Sequence, residues 1–547
     1  MSSINVGSLA GRASHVLGLG ASDLASRTAR RRRMAAALAA GAVLTLAQPP
    51  VGWWWAAPLA LALLAALWRA AAGQGSARHV FAVGWAAGTG FFLTGLWWIA
   101  EAFLVDVARH GWMAPFAIAG MAAGLALFWG AGFALAARAV GLGALVGAAA
   151  RDGMVARGGV AAALALAAAL ALGEYARSTV LTGFPWALPS YALSQTPLAQ
   201  LGALGGPHLL GFALLLVGFV LGLTGGRRRI AAIAVAAALV AGGWGWGAAR
   251  QSAAPVAGAD APVIRLVQPN ATQRDKWRPE MRRVFFERLL ALSTPDGPPP
   301  ALVVWPETAV TWLLDREPEL RARIAGAAGG AIVLTGAQRV ATGASGPEWR
   351  NAMQALGPDG AVIASYDKHH LVPFGEYLPL GGLMARIGLG ALVGGSFGSG
   401  PGPAAMQLPG LPLIQPQICY ETIFPAGVLS GPARPAVIVQ ATNDAWFGTS
   451  AGPRQHFQQA RMRAIEQGLP VARAANTGIS AIIDAHGQVI AALGLNRAGM
   501  IEAPLPPAAP PTLYARSGDA PWIALIAVLG TIGAWAARRR AGAPAVA

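Results

Sequence analysis

The sequence predicts two architectures in one chain: a polytopic α-helical membrane domain of about eight spans, and a layered α/β domain held outside the lipid. Three observations predict it. Of 547 residues, 55% are hydrophobic and only 12% are charged, against about a quarter charged in ordinary soluble proteins. The net charge of +17 includes short arginine clusters beside apolar runs, Arg30 to Arg33, Arg227 to Arg229 and Arg538 to Arg540. That placement marks membrane topology, not a nucleic-acid partner. Residues 250–520 break the apolar pattern, hold most of the acidic residues and alternate strand-like with helix-like stretches.

Taken in order, residues 1–29 show no sustained periodicity and, with the first arginine cluster, read as a cytoplasmic tail, 1–33. They lack the order of a cleavable signal peptide, because the first apolar run both follows Arg33 and leads to another. The membrane domain, 34–249, holds apolar spans near 34–48, 52–71, 79–100, 113–137, 158–175, 206–224 and 230–247, and an eighth lies near 521–537. The first is short for a hydrocarbon core that needs ~20 residues, so it is expected to pair with the second as a hairpin through Gln48, Pro49 and Pro50. Arginine density puts Arg69, Arg78, Arg138, Arg151 and Arg157 on the same side as the three clusters. Eight crossings satisfy every cluster, with both termini cytoplasmic and the α/β domain on the outer side; seven or nine would strand one. Glu101, Asp106 and Glu174 fall at span ends, which argues against a charged transport pathway through the bilayer.

The catalytic domain is expected at 250–502. The stretches "PVIRLVQ", "ALVVW", "AIVLTGAQ", "NAMQALG", "AVIASY", "LIQPQIC", "AVIVQAT" and "GISAIIDAHG" read as strands, and many are short, apolar and β-branched, as buried strands are. Residues 278–294 and 453–468 have helical spacing. "APLPPAAPPT" opens a Pro-rich tether, 503–520, to the last span, and 538–547 is a second cytoplasmic tail.

Chemistry gathers at three places. Cys419 is the one cysteine of the chain and ends the strand-like "LPLIQPQIC" before "YETIFP". A side chain at a strand-to-helix turn sits at a sheet edge, where α/β scaffolds carry nucleophiles; the alternative is a small core hydrophobe. An outward-facing free thiol is exposed to oxidation unless sheltered. Glu307 follows four apolar residues in "ALVVWPET", an awkward place for a core acid and a good one for a sheet edge; it could equally cap a helix. Lys368 follows another strand, with Glu376 close behind, in a stretch that could be a solvated loop. The chain has only two lysines, Lys276 and Lys368, against 39 arginines. A lysine kept against such a bias marks a place where a compact ammonium fits and a guanidinium does not, unless both survive by chance. Adjacent His369 and His370 lack the neighbouring ligands of a metal site, and no metal or cofactor is expected.

The motifs "VVWPET", "YDKHHLVPFGEYLP" and "ICYE", in that order, resemble the Glu-Lys-Cys motifs of the nitrilase, or carbon–nitrogen hydrolase, superfamily. "QPNATQRDKW", "TNDAWFG", "GPRQHFQQARMRAIEQGLPVARAANTGIS", "GFPWALPSY" and the apolar spans are similar to its membrane branch, the apolipoprotein N-acyltransferases. The resemblance covers nearly the whole chain. It implies a nitrilase-like αββα sandwich on a helical membrane base, with Cys419 as nucleophile, Glu307 as general base and Lys368 as a cation near the oxyanion. It further implies that Glu376 supports Lys368 or the acid–base work, that Tyr420 and Glu421 shape the pocket, and that Trp277 and Trp446 lie near the substrate. Glu421 could instead favour the N-terminus of the following helix, and any one tryptophan could simply pack.

A lipid substrate accounts for the membrane base. Drawing a sixteen-carbon chain into water costs roughly 12 kcal/mol at ~0.8 per methylene. The apolar, glycine-rich 378–398 suits a lid that dips into lipid. The resemblance implies a two-step reaction in the bacterial inner membrane, with the catalytic domain on the periplasmic side. Cys419 takes an acyl chain from a phospholipid, typically phosphatidylethanolamine, as a thioester. The α-amine of an S-diacylglyceryl-cysteine apolipoprotein then receives it. Two other readings use the same residues: a membrane-anchored amidase with water as acceptor, and a lipid or lipoprotein carrier in which Cys419 is inert.

Overall fold

The computed structural model describes residues 21–141, 152–343, 346–379, 386, 397–429, 431 and 433–542. Its N-terminal part is helical: α1 (Ala21–Leu44), α2 (Ala56–Ala72), α3 (Ala77–Gly95), α4 (Ala114–Val140), α5 (Asp152–Thr179), α6 (Gly202–Leu223) and α7 (Gly226–Ser252). Five stretches among the described residues are long and apolar enough to cross a membrane: Val107–Val140, Gly159–Thr179, Pro197–Leu223, Gly226–Ser252 and Ala520–Arg539. A sixth results if α3 and the following Trp97–Leu104, bent by 52°, count together. The count of eight is not reached by this measure, and the first two expected spans are the reason. The α1 helix carries Arg30 to Arg33 in its body, and the 17 residues of α2 reach about 26 Å at ~1.5 Å per residue, short of a ~30 Å hydrocarbon core.

The expected tail, 1–33, is helical at its C-terminal end, where the sequence shows no sustained periodicity. Helix α1 begins at Ala21 and runs unbroken through the arginine cluster, because alanine and arginine are both strong helix formers. Residues 1–20 lie outside the described residues, as do 380–385 and 387–396 of the expected lid.

Beyond α7 the chain builds two sheets. The strands are β1 (Val263–Gln268), β2 (Leu302–Val304), β3 (Ile332–Gly343), β4 (Gly346–Leu356), β5 (Val362–Asp367), β6 (Ile414–Ile418), β7 (Val437–Thr442), β8 (Val471–Ala475), β9 (Ser480–Ile483), β10 (Val489–Leu493) and β11 (Gly499–Pro504). One sheet has the order β11-β1-β2-β3-β4-β5 and the other β10-β9-β8-β7-β6. β1-β2-β3 in the first sheet and β6-β7-β8 in the second are parallel; antiparallel strands flank the first block on both sides and the second on one, so that β6 is itself an edge strand.

Side-chain alternation shows how they stack. Leu302 and Val304 of β2 meet Val437, Val439 and Ala441 of β7 in one core between the sheets. Val303 points the other way, into a core with helices α8 (Pro279–Ser293) and α9 (Pro318–Ala327). Ile438 and Val471 likewise face helix α10 (Ala451–Gln467), at Phe457, Ala460 and Ala464. The layers are therefore helix, sheet, sheet, helix, the αββα sandwich expected. Strand β8, "VARAA", is alanine-rich and holds a buried arginine, so it lacks the β-branched signal. Strand β11 takes the first two residues of the expected tether, with Pro504 opposite Val263; a proline is tolerated on an edge strand.

The two parts share a core. Tyr420, Ile423, Met462 and Ile465 of the sandwich pack among the buried residues of the membrane helices. At the junction Gln455 is saturated. Its Oε1 accepts from the indoles of Trp98 (3.0 Å) and Trp186 (2.8 Å), and its Nε2 donates to the carbonyls of Pro49 (3.1 Å) and Gly95 (3.2 Å). The final helix, α11 (Ala520–Gly542), returns to pack against α5.

Candidate active site

Cys419 is the first residue after β6 and opens a 3₁₀ turn, Cys419–Ile423. Its φ of +48° lies in the left-handed region, a conformation costing a non-glycine residue about 1–3 kcal/mol. Surrounding bonds hold it there. The Cys419 carbonyl faces His456 Nε2 at 3.1 Å and accepts from Gln440 Nε2 at 3.3 Å. His456 Nδ1 meets Asp444 at 2.8 Å, and Asp444 pairs with Arg473 at 2.6 Å. All three of these side chains are fully buried. Burial would raise Asp444, but Arg473 and His456 pull it down to about 2. On the other side of the nucleophile, Glu421 accepts from the backbone N–H of Ile418 (2.7 Å), His369 (2.8 Å) and His370 (3.3 Å) and from the Tyr366 hydroxyl (3.0 Å). Glu421 is thus a backbone clamp around the turn.

Glu307 reaches the same point from the other sheet. Strand β2 ends before Pro306, which has no N–H to continue a ladder. Gly336 on β3 lets the turn approach closely: a Cβ there would lie 2.4 Å from the Pro306 carbonyl oxygen and 2.6 Å from the Glu307 Cα. The Glu307 carboxylate accepts from Lys368 Nζ (3.1 Å), Asn351 Nδ2 (2.8 Å) and the Asn443 N–H (3.0 Å). The Cys419 thiol lies close enough for it and this carboxylate to shift each other's ionisation. Lys368, 1% exposed, bridges Glu307 and Glu376 (3.0 Å), and Asn351 Nδ2 joins the same two carboxylates.

The electrostatics divide the labour. Burial would raise Glu307, but the Lys368 ammonium and the hydrogen bonds from Asn351, Lys368 and the thiol hold it below the ordinary carboxylate value. Burial opposes the Lys368 charge, yet Glu307 and Glu376 together keep it above the usual ammonium range. Burial pushes the Cys419 thiol up, the Glu307 charge adds to this and Lys368 opposes it. At neutral pH the sulfur is therefore a protonated thiol beside an ionised acid. Such a thiol resists oxidation and reacts when its proton is taken at the moment of attack.

The remaining sequence-derived residues fall in two groups. The Tyr420 ring packs on Phe424 and its hydroxyl lies 3.5 Å from the Gly183 carbonyl, in the "GFPW" loop of the membrane domain. The same loop is tied back to α5, where Arg177 pairs with Glu174 at 2.6 Å and bonds the Phe184 carbonyl. Trp277 and Trp446 are 44% and 41% exposed, unlike the buried carboxylates and amines. The sequence reading passes over Asn351, Asn443 and His456 as site residues, since single amides and one histidine carry no spacing signal. It also leaves Lys276 outside the site, although the scarcity of lysine points to it.

A thiol, a carboxylate and an ammonium gathered where two sandwiched sheets meet define the class, a carbon–nitrogen hydrolase fold. The family profile described as carbon-nitrogen hydrolase matches residues 291–509, and that described as apolipoprotein N-acyltransferase N-terminal domain matches 40–220. Proteins named apolipoprotein N-acyltransferase are similar over most of the chain. That of Rhodopseudomonas palustris is 38% identical over 82% of this chain and 84% of its own. Those of Caulobacter vibrioides (38%) and Bradyrhizobium diazoefficiens (39%) each cover 84% of this chain and 86% of their own. The chain belongs to the apolipoprotein N-acyltransferase family. An amidase crystal structure from Nesterenkonia sp. aligns with 49% of this chain and 97% of its own at 19% identity and a TM-score of 0.33, too distant to carry further argument.

Proposed function

We propose that this chain moves an acyl chain from a phospholipid to the N-terminal α-amine of an S-diacylglyceryl-cysteine apolipoprotein, through a thioester on Cys419. The observation that carries this reading is the Glu307 carboxylate bonded to Lys368 and close enough to the Cys419 thiol to shift its ionisation, next to residues packed in the membrane core.

In the first step Glu307 takes the thiol proton as sulfur attacks the ester carbonyl. The oxyanion forms beside the Lys368 ammonium. Collapse breaks the ester C–O bond, Glu307 returns the proton to the leaving oxygen, and lysophospholipid departs. In the second step the neutral α-amine attacks the thioester, Glu307 accepts its proton, the C–S bond breaks and the proton returns to sulfur. The product is an amide, and the kinetics are ping-pong. Glu376 and Asn351 keep Lys368 and Glu307 in register. We further infer phosphatidylethanolamine as the usual donor, the bacterial inner membrane as the location and a periplasmic catalytic domain.

Purified protein incubated with phospholipid should show an acyl adduct on the peptide containing Cys419 by mass spectrometry, and Cys419→Ala should show none. Adding a diacylated lipopeptide should discharge the adduct into an amide. Release of free fatty acid in place of amide would establish the hydrolase reading, and lipopeptide acylation by Cys419→Ala would overturn the role of the thiol.

A further inference from the structure

The two lysines of the chain both contact Glu307. Lys368 bonds its carboxylate, and Lys276 Nζ donates to its backbone carbonyl at 3.2 Å. Lys276 is 3% exposed. That carbonyl is its one hydrogen-bond acceptor among the described residues. Burying an ammonium is costly unless negative charge lies near it, and the charges that favour this one are those of Glu307 and Cys419.

Its position is built rather than incidental. Lys276 sits in the loop between β1 and α8. Asn476 clamps that loop at Ala271, accepting from its N–H (2.9 Å) and donating to its carbonyl (2.7 Å). Asn443 Nδ2 donates to Gln273 in the same loop (2.9 Å), while the Asn443 N–H holds the Glu307 carboxylate. One asparagine thus locks the Lys276 loop to the general base.

We propose that Lys276 is a second cation of the site, stabilising the negative charge that develops when Cys419 gives its proton to Glu307 and attacks the acyl ester. This rests on the thioester reading above. Lys276 feels the charges of Glu307 and Cys419, while Lys368 bonds the Glu307 carboxylate and Arg274 and Asp275 adjoin it in its own loop. Burial lowers Lys276 to about 8, with Glu307 and Cys419 opposing the shift. The ammonium is therefore present below that pH and is lost as pH rises through it. Arginine would not titrate there.

The test is single-turnover release of lysolipid from phosphatidylglycerol, whose headgroup keeps one charge across the range, followed from about pH 6 to 10 with no amine acceptor. The wild type should lose rate as pH rises through about 8. Lys276→Met should be slower by about 10²-fold near neutrality and should lack that alkaline limb. Lys276→Arg, which keeps the charge, should retain more of the rate than Lys276→Met and move the limb upward. A Lys276→Met profile with the limb unchanged overturns the proposal, whatever the overall rate, and so does a wild type without a limb. Absence of lysolipid release from the wild type at every pH would instead sink the thioester reading.

Discussion

At the scale of single residues, the site works by opposing burial against charge. A buried thiol is hard to ionise, and burial alone would also neutralise the nearby acid. Lys368 reverses the second effect and only partly offsets the first, which leaves a base and a thiol ready for proton transfer. The sign of the pH dependence follows. Glu307 is held below its ordinary value of 4.5, so the base stays ionised at every higher pH and is lost as pH falls through its depressed value. Thioester formation should therefore still proceed at about pH 4.5, where an ordinary glutamate is half protonated, and be lost only at lower pH, as long as the fold survives. Glu307→Gln should reduce it by about 10²–10⁴-fold; a burst of lysolipid at the wild-type rate from this variant would refute the role. Cys419, Glu307 and Lys368 were legible because each follows an apolar strand. Asn351 and Asn443 were not, because an amide becomes a site residue only when another strand brings it a partner.

At the scale of elements, close backbone approach sets the distance between base and nucleophile. Gly336→Ala would drive a methyl group into the Pro306–Thr308 turn and shift Glu307 away from Cys419. A displacement near 1 Å can cost about 10²-fold in rate, so the variant should fold and bind lipid yet acylate slowly. Wild-type burst kinetics in Gly336→Ala would show that the turn has slack. The junction between sandwich and membrane helices is similarly specified. Gln455→Ala would strand two indole N–H groups and two carbonyls, at roughly 1–3 kcal/mol for each buried unpaired group. Its thermal midpoint in detergent should drop by several degrees, and an unchanged midpoint would mean that water replaces the amide without loss. Sequence reading found most central strands and both long helices of the sandwich. It missed β8, where alanines and Arg473 hide a buried strand, and β10 and β11, whose weak alternation makes sense only once β9 and β1 lie beside them.

At the scale of the whole molecule, the chemistry is held at a fixed height. The residue after Cys419, Tyr420, packs in the core of the membrane helices, so the sulfur is tied to the helical domain. That geometry removes the cost of lifting an acyl chain into water, roughly 12 kcal/mol for sixteen carbons. Orientation is testable because Cys419 is the one cysteine, and Cys419→Ala is a cysteine-free background. In intact cells an impermeant maleimide that reaches the periplasm should label Asp260→Cys and spare Arg539→Cys. The reverse pattern would invert the proposed topology. The span count shows the limit of charge bookkeeping. Arginine clusters constrain which side a loop takes, but α1 absorbs its cluster within the helix and α2 has only 17 residues.

By itself the sequence determined the division into a membrane part and an α/β part, the central strands, and the three residues proposed for catalysis. Those features are local: hydropathy, alternation and a polar residue at a strand end are all written in neighbouring positions. Only the tertiary structure decided that Asn351, Asn443, His456 and Lys276 join them, and that Glu421 clamps backbone. Those roles depend on contacts between residues tens to hundreds of positions apart, such as Asn443 to Glu307 and Gln455 to Pro49. Such contacts exist only after two sheets stack and dock on the helices, because burial then turns isolated polar groups into a single charge-balanced cluster.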